Sequence, residues 1–279
     1  MLTTLDSPQD LDDLRRAVAL LERPGLSIQI ANLLGSPVEW AVSKLPARAT
    51  RTLQTAVRGA LYKAADAALF TLGEAPHAPA STRLHKLAAA GSGAVGGFFG
   101  LPGLVAELPV STTIMMRAVA DVARSEGFSL RDPLVQAACI EVFALGGSSD
   151  QDDAAETGYY AMRALAGEAG HVAAGVAHRM GDKSVEAFTR KLATRDAGAM
   201  LARLIESVAA RFGMVITEKT AAQMVPVLGA AAGATLNTLF TGHYQAMARG
   251  HFIVMRLERQ YGVERVRAAY REEARRHRR

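Results

Sequence analysis

Apolar positions recur at the 3.6-residue spacing of a helix face through long Ala-rich stretches at 47–72, 109–126, 133–146, 153–180, 183–212 and 244–260. No run alternates apolar and polar residues with the β-branched enrichment of a half-buried strand. Helix starts are also written into the chain. Ser7-Pro8 with Asp10, Ser36-Pro37 with Glu39, and Asp132-Pro133 each set a capping side chain before a first-turn proline. Residues Gly73 to Ser81, with Pro76 and Pro79, read as a loop, and no repeat of fixed period is present. The pattern predicts an all-α fold: a single multi-helix domain built around two glycine-rich central helices.

Those two segments break the pattern in a second way. Residues 88–106, AAAGSGAVGGFFGLPGLVA, carry no charge, and residues 220–248 contain no Asp, Glu, Lys or Arg. Their length would admit a membrane span, but Gly, Ala, Thr, Gln and Asn dilute them, Pro102, Pro109 and Pro226 interrupt them, and Glu107 stands where the first would continue. The small residues instead permit close helix approach. Gly93 with Gly97, Gly96 with Gly100, and Gly229 with Gly233 are spaced four apart and share a face. Two readings follow: tightly packed buried helices, or segments that dip into one leaflet with Phe98, Phe99, Leu101 and Leu104 as the apolar face. Gly91, Gly93 and Gly96 also match the spacing of a dinucleotide-binding turn, but the residues before them read as helix and no βαβ unit surrounds them.

Charge sharpens the picture once it is located. The chain of 279 residues has a formal net charge of +5, with 53 Ala and 25 Gly. From Arg249 onward there are ten Arg against four Glu, a local +6, so the preceding 248 residues sum to −1. Arg265, Arg267, Arg271, Arg275, Arg276, Arg278 and Arg279 form a candidate patch for an anionic membrane surface. The plainer alternative is a solvated helix end with Glu partners. Nucleic acid fits less well, because only Tyr261 and Tyr270 accompany the arginines and sequence readers need more stacking or hydrogen-bonding side chains. The N-terminus lacks the basic and apolar regions of a signal peptide, which predicts a cytoplasmic location.

Candidate chemistry is sparse. Glu107, between Val105-Ala106 and Leu108-Pro109, is expected to be partly desolvated, either as a ligand anchor with Arg117 as a candidate partner or as a structural carboxylate at the start of the helix beginning at 109. Glu141, in an apolar helix, predicts a buried pair with an arginine. Asn237, among small residues, predicts interhelical hydrogen bonds or a ligand contact. His171 and His178 share a face, but at a spacing of seven they lie about 10.5 Å apart along the axis, too far to chelate one ion. No Gly-x-Ser-x-Gly elbow exists, and the single cysteine, Cys139, sits in an apolar helix. No metal and no cofactor is expected, and nothing in the residues supports a nucleophilic hydrolase.

The blocks GFFGLPGLVAELP, EGFSLRDP, MVPVLGAAAGATLN and LERQYGVERVRAAY resemble the EcsC family, bacterial proteins named after the third gene of an ABC-transporter operon. Pro226, Gly229, Ala230, Gly233 and Asn237 are the most specific part of the likeness. The sequence departs mildly from the family pattern at Glu126-Gly127-Phe128, where an aromatic is common before the glycine, and at Glu107, where Asp is usual. The resemblance implies an all-helical domain over residues 25–270, preceded by a helical arm, 1–24, and followed by a basic tail, 271–279. It also implies an association with envelope processes, including transporter or other envelope proteins as partners, but carries no settled activity. The expectation is a non-enzymatic accessory or lipid-facing protein at the inner face of the membrane. A carrier or enzyme for an apolar molecule held between the glycine-rich helices and a soluble structural oligomer, such as a homodimer, are the alternatives.

Overall fold

The central element of the computed structural model is one long helix, Gly229–Tyr261, against which most of the others lie. The structure describes residues 5–34, 42–43, 45–71, 79–98, 100–145, 159–160, 163, 195–223 and 229–278. Within these, the helices are α1 (Pro8–Leu21), α2 (Leu26–Leu34), α3 (Ala47–Thr71), α4 (Thr82–Phe98), α5 (Gly100–Ser125), α6 (Pro133–Glu141), α7 (Arg195–Gln223), α8 (Gly229–Tyr261) and α9 (Val263–His277). A short 3-10 turn, Val142–Ala144, follows α6. The described residues include no strand, so the fold is all-α.

Two of the three start signals are realised. The Ser7 hydroxyl accepts from the Asp10 amide at 3.4 Å, and the Asp132 carboxylate accepts from the Leu134 amide at 2.9 Å, each satisfying a donor that helix geometry leaves unpaired. The Ser36-Pro37 signal lies outside the described residues, as do residues 153–158, 164–194 and 224–228. Three expected boundaries change, one of them at 212, where the helix expected to end runs on to Gln223. The helix expected to start at Pro109 begins at Gly100 instead, with Pro109 inside it. The helix expected from 244 begins at Gly229, uniting the second glycine-rich segment with the stretch that follows. A proline within a helix forfeits one backbone bond to the residue four before it. The hydroxyls of Ser111 and Thr113 donate to the carbonyls of Leu108 and Pro109, at 3.2 and 2.7 Å, in the same turn.

The first glycine-rich segment is therefore split between α4 and α5, which form an antiparallel hairpin. Glu107 meets Ser92 near the hairpin's closed end, while Asp121 bonds Ser81 and His85 at the open end. Helix α4 is also antiparallel to α8: Asn237 bonds the Ala89 carbonyl and Gln245 bonds the Thr82 carbonyl. The far half of α8 carries α1, through Gly250 against Leu21 and Arg256 with Asp13, and α9, which turns back at Gly262 with a left-handed φ of 85°. The core between them is aliphatic and aromatic, with Leu14, Met116, Phe143, Phe212, Phe240, Tyr244 and Phe252 fully buried. Cys139 belongs to it, and burial raises its thiol pKa, which makes it packing rather than a nucleophile. No helix among the described residues is long and apolar enough to cross a membrane.

Candidate functional site

Glu107 of α5 is met by side chains from three other helices, and glycine is what lets it sit there. A Cβ at Gly96 would lie 2.8 Å from the Glu107 Cγ, so the bare backbone of α4 accommodates the carboxylate stem of α5. On the adjacent face of α4, Gly93 meets Gly233 of α8 with backbone against backbone, and Gly97 lies beside the same contact. Ser92, one turn before Gly96, donates to Glu107 Oε1 at 2.7 Å, and Asn237 Nδ2 donates to the same oxygen at 2.7 Å and to the Ala89 carbonyl at 3.0 Å. Lys219 of α7 brings its Nζ to 3.7 Å from Oε2 and lies 5.5 Å from the Phe240 ring centre.

The electrostatics follow from these contacts. Burial pushes the Glu107 pKa upward, but Lys219 and the side-chain donors Ser92 and Asn237 act against it, and the carboxyl is held below its ordinary range. For Lys219, fully buried, desolvation dominates and lowers the ammonium pKa, with Glu107 offsetting part of the loss. Asn237 is 1% exposed, and among the described residues its Oδ1 accepts no hydrogen bond. Ser92 and Glu107 both reach the wall of a cleft of about 500 Å³ between α4 and α5, whose remaining lining is Ala, Gly, Val and Ile. A carboxylate with a lowered pKa is a weak base toward a neighbouring hydroxyl, so the Ser92–Glu107 contact is suited to binding rather than to nucleophilic catalysis.

Glu107 and Asn237, picked out separately in the sequence, are thus brought into direct contact. Arg117 is not their partner, since ten residues of helix place it about 15 Å further along α5. Lys219 takes that place. It lies beyond 212, where the helix was expected to end, and its partner is 112 positions away. Nor does Glu107 cap a helix start, because α5 already runs for two turns before it. Phe98 is 72% exposed at the end of α4; Gly100 and Gly229 open α5 and α8, and Phe99 lies outside the described residues.

The basic tail is largely paired within the protein. Arg265 meets Asp6 at 2.7 Å, Arg276 meets Glu272 and Glu273, and Arg278 meets Glu22 at 3.0 Å. Arg267 stacks over the Tyr160 ring at 5.5 Å, Arg271 is half-buried, Arg275 is exposed, and Arg279 lies outside the described residues. Among the described residues no three His, Cys, Asp or Glu side chains are grouped to hold a metal, and His171 and His178 lie outside them.

The sequence pattern that defines the EcsC protein family matches residues 28–257, which include every ligand of Glu107. The chain belongs to the EcsC protein family. Comparison with curated proteins and with solved structures yields no match.

A second buried polar cluster lies beside the far half of α8. Arg163 Nη1 donates to both carboxylate oxygens of Glu258 at 2.8 and 2.9 Å, Tyr160 donates to Glu258 at 3.1 Å, and the Tyr159 hydroxyl meets His251 Nδ1 at 2.9 Å. Glu141 feels the charges of the same cluster, but the arginine there, Arg163, is paired with Glu258. Burial pushes the Glu141 pKa up to about 7; Arg163 pulls it down and Glu258 pushes it further up. A raised folded-state pKa means that stability is fully present below the unfolded value near 4.5 and is lost as pH rises through 7. Glu141→Gln should accordingly nearly match the parent in urea unfolding at pH 4.5 and exceed it by about 3 kcal/mol at pH 8. Equal midpoints at both pH values would show that Glu141 does not titrate across this range.

Proposed function

We propose that this EcsC protein is a non-enzymatic, membrane-peripheral accessory protein of the bacterial envelope, which meets lipid at the inner face through the α4–α5 hairpin. The observation that carries this reading is the exposed apolar stripe on that hairpin. Leu84, Leu87, Val95 and Phe98 follow one side of α4 and Val110 joins them from α5; Leu87 and Phe98 are each 72% exposed. Contiguous apolar residues left in water mark an interaction face rather than ordinary surface. Helix α4 has no acidic residue, and its formal charges are Arg83 and Lys86, both near its N-terminal end. That combination suits insertion of the apolar side chains beneath anionic head groups.

The reading shifts the electrostatic share away from the C-terminal arginines. Several are committed to internal carboxylates, and α9 starts at the other end of α8, about 40 Å along its axis from the Gly93–Gly233 contact, before turning back beside α1. A second reading, a carrier for an apolar molecule, is favoured by the cleft at Ser92 and Glu107. Native mass spectrometry distinguishes it: a stoichiometric bound lipid or other amphiphile supports the carrier, and its absence with vesicle binding supports the peripheral protein alone.

Co-sedimentation with vesicles of phosphatidylglycerol and phosphatidylcholine tests the main proposal. The parent should bind, and the double variant Leu87→Asp, Phe98→Asp should bind about tenfold or more weakly, because each lost side chain gives up roughly 2 kcal/mol of apolar burial. Both positions are exposed, so circular dichroism should be unchanged. Undiminished binding of the variant would remove the hairpin from the interface.

A further inference from the structure

On the other flank of α4 from the Glu107 cleft lies a second, larger hollow of about 680 Å³, bounded by the α1–α2 turn, α2, α4 and the middle of α8. Its polar lining differs in kind. Arg23 enters from the turn, Lys86 from α4, Gln29 from α2, and His243 from α8, and none of the residues lining it is acidic. Among the described residues neither Arg23 nor Lys86 has an ion-pair partner, in a protein where the arginines of α1, α8 and α9 are mostly paired.

Lys86 lies along α8 at Gly242. A Cβ at Gly242 would lie 3.3 Å from both its Cε and its Nζ, so the glycine leaves the space along α8 in which the end of this side chain rests. His243, the next residue of α8, is buried and lies 3.1 Å from the Gln29 amide through Nδ1. Burial, with the Arg23 charge adding to it, lowers the His243 pKa to about 4, so the ring is neutral and the amide of Gln29 donates to it. The positive charge facing the hollow therefore comes from Arg23 and Lys86, set on two separate elements. Leu84 and Leu87, the exposed apolar residues of the proposed interface, flank Lys86 in sequence.

We infer that this hollow is a binding site for a phosphate ester, with Arg23 and Lys86 pairing the phosphate oxygens from two sides. A guanidinium supplies two parallel donors and an ammonium supplies a compact point charge, which is the complement a phosphate monoester or diester needs. The same chemistry is offered by the head group of an anionic lipid and by a soluble phosphate ester. The adjacent apolar stripe favours the lipid, and to that extent the inference rests on the membrane reading above.

The experiment pairs two probes with two variants, Arg23→Gln/Lys86→Gln and Leu87→Asp/Phe98→Asp. In the first arm, vesicles of phosphatidylglycerol are compared with vesicles of phosphatidylcholine alone. The parent should prefer the anionic vesicles, and Arg23→Gln/Lys86→Gln should lose roughly ten- to thirtyfold of that preference while keeping its binding to phosphatidylcholine. In the second arm, glycerol phosphate is titrated against each protein and the thermal midpoint is read. A rise in the parent that is absent in Arg23→Gln/Lys86→Gln and present in Leu87→Asp/Phe98→Asp establishes the site for a soluble ester, even if no vesicle is bound and the membrane reading fails. A charge-neutralised variant that keeps the full anionic preference, or a parent that neither discriminates between vesicles nor responds to glycerol phosphate, overturns the site. Gly242→Ala, which crowds the end of Lys86, should weaken whichever response is seen.

Discussion

Gly233→Ala should lower stability by about 3 kcal/mol or more, the range in which a helix interface is overpacked and its backbone must shift. An added Cβ would overlap the Gly93 carbonyl oxygen, stand 2.8 Å from the Gly93 carbonyl carbon, and lie 3.2 Å from the Gly97 Cα. These are backbone atoms on a neighbouring helix, so no flexible side chain can yield. The reciprocal change, Gly93→Ala, meets the Gly233 carbonyl oxygen and the Asn237 amide nitrogen at 2.7 Å. Either change forces α4 from α8 and pulls Asn237 from the Ala89 carbonyl and from Glu107, so the site loosens with the seam. Helix propensity alone would favour alanine by about 1 kcal/mol. The control is Gly59→Ala in α3, where nothing lies within 4 Å of the added carbon, and stability should rise by about 0.5–1 kcal/mol. Urea unfolding of the three variants reads the sign directly. A neutral or stabilising Gly233→Ala would mean that α4 and α8 do not pack backbone against backbone.

The seam was legible because spacing four apart on a helix is a local property. Gly93 and Gly97 needed no knowledge of the partner to be placed on one face, and Gly233 was marked in the same way. The boundaries at Pro109 and 244 were not legible. A proline looks like a first turn when propensity is read along the chain, yet in the hairpin the packing of α5 on α3 and α4 carries the helix through it. The ion partner of Glu107 failed for a related reason: Arg117 was near in sequence, and only tertiary contact selects Lys219 from α7. The tail shows the same limit. Its +6 could be counted, and so could the N-terminal run of Asp6, Asp10, Asp12 and Asp13, but nothing in the two compositions says that α1 and α9 lie side by side, with Arg265 on Asp6 and Arg15 on Glu273. The exposed stripe on α4 was half visible, since Phe98 was marked while Leu84 and Leu87 read as ordinary helix positions.

Glu107→Gln is the second change with a large expected effect, about 3–5 kcal/mol at pH 7, because it leaves the Lys219 ammonium buried without its counter-charge. The loss should depend on pH in a direction that identifies its cause. Without Glu107, nothing offsets the desolvation that already lowers the Lys219 pKa, so the folded state binds its proton more weakly than the unfolded chain does. Stability of the variant therefore rises with pH, from the lowered folded value toward the ordinary lysine range, as the unfolded state is the one holding the extra proton. The parent shows the same sign in a different window, at the acid end: Glu107 has a lowered folded pKa, so its contribution is present above the ordinary carboxylate range and is lost as pH falls through the folded value. Lys219→Met should cost less than Glu107→Gln, since the carboxylate keeps its donors from Ser92 and Asn237. The double variant Glu107→Gln/Lys219→Met should recover most of the loss, because no unpaired charge remains in the core. Additive costs in that double-mutant cycle would mean that the two side chains do not act as a pair. Recovery would separate two roles at the cleft wall: the ion pair holds α5 to α7, while the Ser92 hydroxyl and the apolar lining remain to meet a ligand.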